Sequence, residues 1–290
     1  MRTVSEHRQF LESLAAKVPN PHAGFFGPES MAWRISREMV LSLVVLRALL
    51  MQVAHPKVAQ GVADHSDFAN KPFARAYATF KAQQRIVFGT CEESIEALMR
   101  IYARHVGVVG EVREPIPSME SASYRGNDPE LLFWVYATLF DSMLYAYRNF
   151  LPKLPAGDLE RFYEEGKLFA KLIGIPEEIV PRRLADFDAW MHDAMASDTI
   201  FVSNSGLEIG HSLLRIPFGF LKPFTRLVAG ATLPPRLRDE FGLHWSVGRE
   251  RLYIFLCRWL RFILRRTPAI LHSSPAYWTA LRRVRAAEAG

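Results

Sequence analysis

Apolar residues recur along this chain at helical rather than strand spacing. Residues 29–54 (ESMAWRISREMVLSLVVLRALLMQVA) read as one long, very apolar helical run, which Pro56 should kink or restart because proline cannot donate to the helix ladder. Residues 71–88 predict the next helix, with Asn70 as cap and Pro72 in the first turn; Phe73, Tyr77, Phe80, Gln84 and Val87 fall on one side of it. Thr90 and Glu93 form a capping box that starts a helix running to about Val108, with Ile95, Leu98, Met99, Tyr102 and Val106 as its stripe. Gly107 and Gly110 end it. Asp128 then caps a helix that opens on Pro129 and runs to about Phe150.

Later helices are expected over about 158–173, 182–196, 219–229, 235–241, 245–266 and 274–288, punctuated by prolines. Residues 111–123 and 151–157 read as loops. Periodicity weakens over 197–217, where no element is assigned. No alternating strand pattern exceeds a few residues, so the expected class is all-α: one multi-helix domain over 1–290 with no clean internal boundary.

Composition agrees. Of 290 residues 49% are apolar and 23% charged, which excludes a disordered chain. Two cysteines, Cys91 and Cys257, supply no disulfide framework. The first 18 residues carry Glu6, Arg8, Glu12 and Lys17 and no apolar h-region, so the reading is cytoplasmic. Two runs resemble membrane spans. Leu131–Tyr147 contains Asp141, and Val40–Val53 contains Arg47 and is shorter than the ~20 residues a span needs. Both read better as core helices. Net charge is +6 and the basic residues fall late, among them Arg258, Arg261, Arg265 and Arg266 interleaved with Phe255, Trp259 and Phe262. A basic outer face of a packed helix, a membrane-surface helix and a nucleic-acid patch are the readings of that segment.

Phosphate loops, dinucleotide fingerprints, zinc-protease motifs, nucleophile elbows and calcium loops are absent from the sequence. Glu164 and Glu165 lie beside Arg161 and Lys167 and read as a solvated face. Interest falls on histidines within apolar helices. His105 lies about 80° from the centre of its helix's apolar stripe, beside Gly107 and Gly110, which leave room for a flat group. An axial haem ligand needs that arrangement, and a core histidine before a helix stop would show it too. His55 precedes Pro56, and its imidazole is expected to cap carbonyls freed by the proline. His65 sits in the turn Asp64-His65-Ser66-Asp67, where capping is the default. Arg75 and Thr79 are one turn apart on a face shared with Ala82 and Ile86. A buried Arg–Thr pair needs a partner: a propionate, an oxygen species, or an acid such as Asp64, Asp67 or Asp141.

Four blocks occur in order: Leu49–Val62 with Asp64-His65-Ser66; Arg75-Ala76-Tyr77-Ala78-Thr79; His105-Val106-Gly107-Val108-Val109-Gly110; and Tyr124–Leu139 (YRGNDPELLFWVYATL). Over about residues 30–245 the chain resembles the family of the latex-clearing rubber oxygenase and the mycophenolic-acid pathway oxygenase MpaB. The resemblance implies an all-α, globin-like core that binds haem b. It also implies dioxygen chemistry on an apolar, unsaturated, isoprenoid-like substrate. By position, His105 matches the proximal ligand and iron site, and Arg75 and Thr79 match residues on the haem's other side. Gly107, Gly110 and His55 fall near the cofactor in this reading. No residue matches the acidic base of the rubber oxygenase by position; His65 lies in its general region and is the candidate. The chain departs from the pattern at Ala78, where the rubber oxygenase has a lysine able to cap the iron, and at Tyr136, where the family usually shows histidine. A phenol titrates near pH 10, so a role that needs imidazole is not served by it.

Two other classes stay open: a haem-binding sensor or carrier without turnover, and a haem-free helical module that binds lipid through its basic C-terminal helices. No nucleic-acid partner is expected.

Overall fold

The computed structural model describes residues 2–66, 72–116, 123–215 and 222–289, with the side chains of 72–76 left aside. The fold is all-α. In chain order its helices are α1 (Val4–Ala15), α2 (Met31–Ser36), α3 (Ser42–Val53), α4 (Pro56–His65), α5 (Pro72–Phe88) and α6 (Cys91–Val106), then α7 (Pro129–Asn149), α8 (Ala156–Leu172), α9 (Leu184–Ala196) and α10 (Asn204–Leu213), and last α11 (Lys222–Thr232), α12 (Pro235–Glu240), α13 (Val247–Arg266) and α14 (Pro275–Ala289). Between α6 and α7 two short antiparallel strands, β1 (Val109–Glu111) and β2 (Ser123–Arg125), pair Gly110 with Tyr124.

Local signals account for most helix ends. Thr90 and Glu93 make the expected reciprocal cap, and Asp128 accepts from the amides of Glu130 and Leu131 ahead of Pro129. Asn70, the expected cap of α5, lies outside the described residues. The chain bends by 101° between the run ending in α3 and α4, at the His55–Pro56 break.

Three expectations change. The run 29–54 is divided at Arg37–Glu38. There the backbone turns to bond with the segment before α14: Met39 N donates to His272 O, and Ser274 N donates to Arg37 O. Non-local bonds thus override an uninterrupted helical pattern. The 111–123 loop borders the β1–β2 ladder, three pairs long and too short to show alternation. The unassigned 197–217 contains α10, whose Ser203 cap accepts from Gly206 N.

The main core joins α3, α7, α8, α9, α10 and the inner face of α13. Among the described residues no single helix is long and apolar enough to cross a membrane. The two charges that interrupt the most apolar runs pair with each other. Arg47 Nη2 lies 2.5 Å from Asp141 Oδ2, and the same guanidinium donates to Ser142 Oγ and to Thr232 O. A buried guanidinium with its donors used costs far less than an orphaned one.

Candidate functional site

A cavity of about 100 Å³, open to solvent at its mouth, lies between α2, α3, α5, α7 and α8. Its walls are apolar: Val44, Val45 and Ala48 from α3, Phe80 from α5, Leu139 and Phe140 from α7, and Phe162 and Phe169 from α8. Thr79 belongs to the wall yet is exposed, so it stands at the mouth. Tyr77, two residues earlier, is 61% exposed rather than part of an apolar stripe, whereas Gln84 and Val87 are buried. From Tyr77 onward, burial along α5 therefore rises toward its carboxyl end.

Tyr136 is the chemical feature of this cavity. Its side chain is buried and lines the wall, and its Oη has no hydrogen-bond partner. Burial pushes the phenol well above its ordinary pKa, with Tyr163 adding to the effect, so it stays protonated and is a donor. Facing it is Gly166 on α8. A Cβ there would fall 2.7 Å from Tyr136 Oη and 2.7 Å from Phe140, so only glycine permits this approach. Glu165 is also in the wall. The expected solvated face holds for Glu164, which is exposed and pairs with Lys167, but not for Glu165. Its two carboxylate oxygens accept from the amides of Met31 and Ala32, at the amino end of α2, where a negative charge is favoured.

The sequence candidates scatter around this cavity. His55 is buried as the N-cap of α4: its Nδ1 accepts from Lys57 N, so it caps an amide rather than carbonyls. Burial, with Lys57 nearby, lowers its pKa to about 4 and keeps it neutral. His65 is exposed, with Nε2 3.0 Å from Val109 O, which ties α4 to β1. Beside it Asp64 accepts from Tyr124 Oη at 2.7 Å, Arg113 at 2.6 Å and Gln60 at 3.0 Å. Burial opposes ionisation of Asp64, but these donors hold it below its ordinary value. Asp64 and Asp141, two acids considered for Arg75, thus already have partners, and Asp67 lies outside the described residues.

The space beside Gly110 is filled by the protein itself: a Cβ there would meet Tyr124 Oη at 2.4 Å. Gly107 is open apart from the Arg104 carbonyl. His105 is half-buried at the carboxyl end of α6. Helices α5 and α6 form an antiparallel hairpin in which Arg85 meets Glu96 and Ser94 Oγ bonds Ile86 O. That register brings the His105 end of α6 level with the Arg75 end of α5; the Arg75 side chain lies outside the described residues. Neither His105 nor His55, His65, Gly107 or Gly110 belongs to the cavity wall. Sequence reading missed Glu165, Gly166 and the aromatic wall. The available signal was a glycine one turn after Phe162 inside an otherwise sound helix.

This arrangement defines an all-α protein with an apolar pocket between its helices. The sequence model of the ER-bound oxygenase MpaB/B′ and rubber oxygenase catalytic domain matches residues 33–262. The chain belongs to this oxygenase family. A solved structure of latex clearing protein in its closed state shares the fold: TM-score 0.54, 16% identity, covering 88% of this chain and 72% of that one. No curated protein matches the chain.

Proposed function

We propose that the protein is a haem b-dependent oxygenase that acts with dioxygen on an apolar, unsaturated, isoprenoid-like substrate. The observation that carries this is the apolar cavity with one orphaned phenol, found in a chain of the oxygenase family. An unpaired buried hydroxyl costs about 1–3 kcal/mol unless a guest satisfies it. The apolar walls and this unmet donor suit an apolar substrate that carries one acceptor oxygen.

In this reading His105, which lies outside the cavity wall, would hold the iron, and Arg75 would supply a fixed positive charge for a propionate. A bound haem supplies the iron at which dioxygen is activated. The protein's own residues do the rest. Val44, Leu139, Phe140 and Phe169 exclude water and align an apolar chain. Thr79 offers a hydroxyl at the mouth, and the protonated Tyr136 hydroxyl is a donor that a guest oxygen would receive. Tyr136 stays protonated, so it is no general base. That one fact also supports a second reading, a haem sensor or carrier without turnover.

The test is an absorption spectrum of haem-supplied protein beside His105→Ala and Tyr136→Phe. A Soret band that is lost or shifted in His105→Ala supports the assignment. A band that ignores His105→Ala and shifts in Tyr136→Phe moves the ligand to the phenol. A colourless, folded parent overturns the haem reading. Dioxygen-dependent cleavage of an isoprenoid chain separates the oxygenase from the sensor.

A further inference from the structure

Helix α13 uses one side and leaves the other bare. Its inner side packs through Tyr253, Cys257, Leu260 and Leu264 onto the main core, where the Tyr253 hydroxyl lies 2.9 Å from that of Tyr145. Arg261 on the same side donates to the carbonyls of Arg148 and Asn149 at the end of α7. The outer side carries Leu252, Phe255, Trp259 and Phe262, spaced three and four residues apart and 49%, 61%, 53% and 54% exposed. The turn that follows adds Ile270 and Leu271, at 65% and 70%. An apolar stripe of this size on a folded surface marks an interaction site.

Charge decides what covers it. Arg251, Arg258, Arg265 and Arg266 flank the stripe and are exposed. Among the described residues none of the four makes an ion pair, and Arg266 lies over the Phe262 ring at 3.7 Å. No acid occurs between Arg251 and Glu288 in the sequence, and Glu250 is engaged by Trp245 Nε1. A second copy packed on this face about a two-fold axis would set arginines against arginines with no carboxylate to receive them. An anionic lipid surface meets both demands: headgroups for the guanidinium rows, and acyl boundary for the aromatic row.

We infer that α13 and the turn after it are a peripheral docking face for anionic membranes. This stands independently of haem and of turnover. The face adjoins the cavity. Met39 is 51% exposed and bonded to His272 O, just beyond Leu271, and Leu41, two residues on, is in the cavity wall. A guest dissolved in the bilayer would meet the protein beside its pocket.

The full chain is tested by co-sedimentation with phosphatidylserine-containing or pure phosphatidylcholine vesicles, at about 0.1 M and about 1 M salt. The protein should pellet with the anionic vesicles, about tenfold or more weakly with the neutral ones, and should be released by salt. Phe255→Ser/Trp259→Ser and Arg258→Glu/Arg265→Glu should each lose about tenfold or more while keeping the parent's helicity and Tm, because these side chains are exposed. No pelleting by the parent overturns the inference, as does equal binding by both double variants. A parent dimer that Phe255→Ser/Trp259→Ser makes monomeric in light scattering assigns the face to a second copy and overturns it too.

Discussion

Tyr136 and Tyr124 are almost equally hidden, at 4% and 3% exposure, yet their hydroxyls sit in opposite circumstances. Tyr124 belongs to the edge formed by α4 and the β1–β2 ladder, where it donates to Asp64, which in turn receives Arg113 and Gln60. Tyr136 belongs to the cavity wall, where nothing receives it. The first region is a closed network that ties elements together. The second has an unmet donor in the wall of an apolar cavity, where an orphaned hydroxyl calls for a partner. Histidines, the residues that draw attention in sequence, went to the first kind of work. His55 caps a helix and His65 holds a strand carbonyl.

The largest expected effect tests how much a satisfied cluster contributes on the helix that carries Tyr136. Arg47→Met removes the guanidinium and leaves Asp141 unpaired among apolar residues, with Ser142 Oγ and Thr232 O also losing a donor. Urea unfolding should show a loss of about 3–5 kcal/mol.

Next comes acid sensitivity at His55. The unfolded chain takes up a proton there near pH 6.5, and the folded chain refuses it until about pH 4. Stability is therefore full above pH 6.5 and falls as pH drops through that window, by about 3 kcal/mol. His7, also lowered to about 4 by burial, acts in the same window. The comparison of parent with His55→Asn isolates the His55 share, since asparagine keeps a side-chain acceptor for the cap. A parallel pH dependence in both proteins would remove His55 from this account.

The smallest effects sharpen the comparison most, because the same change should have opposite signs. Tyr124→Phe should cost about 0.5–1.5 kcal/mol by taking a donor from Asp64. Tyr136→Phe should be neutral or stabilising by up to about 1 kcal/mol in protein without a guest, since no hydrogen bond is lost. Equal destabilisation by both would mean that the Tyr136 hydroxyl is satisfied inside the protein.

The helices were legible in the sequence because their causes are local. Caps at Thr90 and Asp128, prolines at 56, 72 and 129, and apolar spacing act within a turn or two, and the helices follow them. The charges in the two most apolar runs already argued that those runs were core helices. Only tertiary structure paired Arg47 with Asp141, since the partners are 94 positions apart, on α3 and α7. The division of 29–54 at Glu38 was illegible for the same reason, because its cause is a strand-like bridge to Ser273.

For the site, Thr79 could be singled out from spacing and Tyr136 from the family resemblance, and the fold sets both on one cavity. Glu165 could not, because a carboxylate next to Lys167 looks solvated until α2 presents its amides to it. The sequence by itself determined the helical class, most helix boundaries and the family pattern, through interactions that span a few residues. Where the empty space lies, and which hydroxyl belongs to its wall, is decided by five helices meeting from distant parts of the chain. A cavity is what their side chains leave unfilled, and no single segment encodes it.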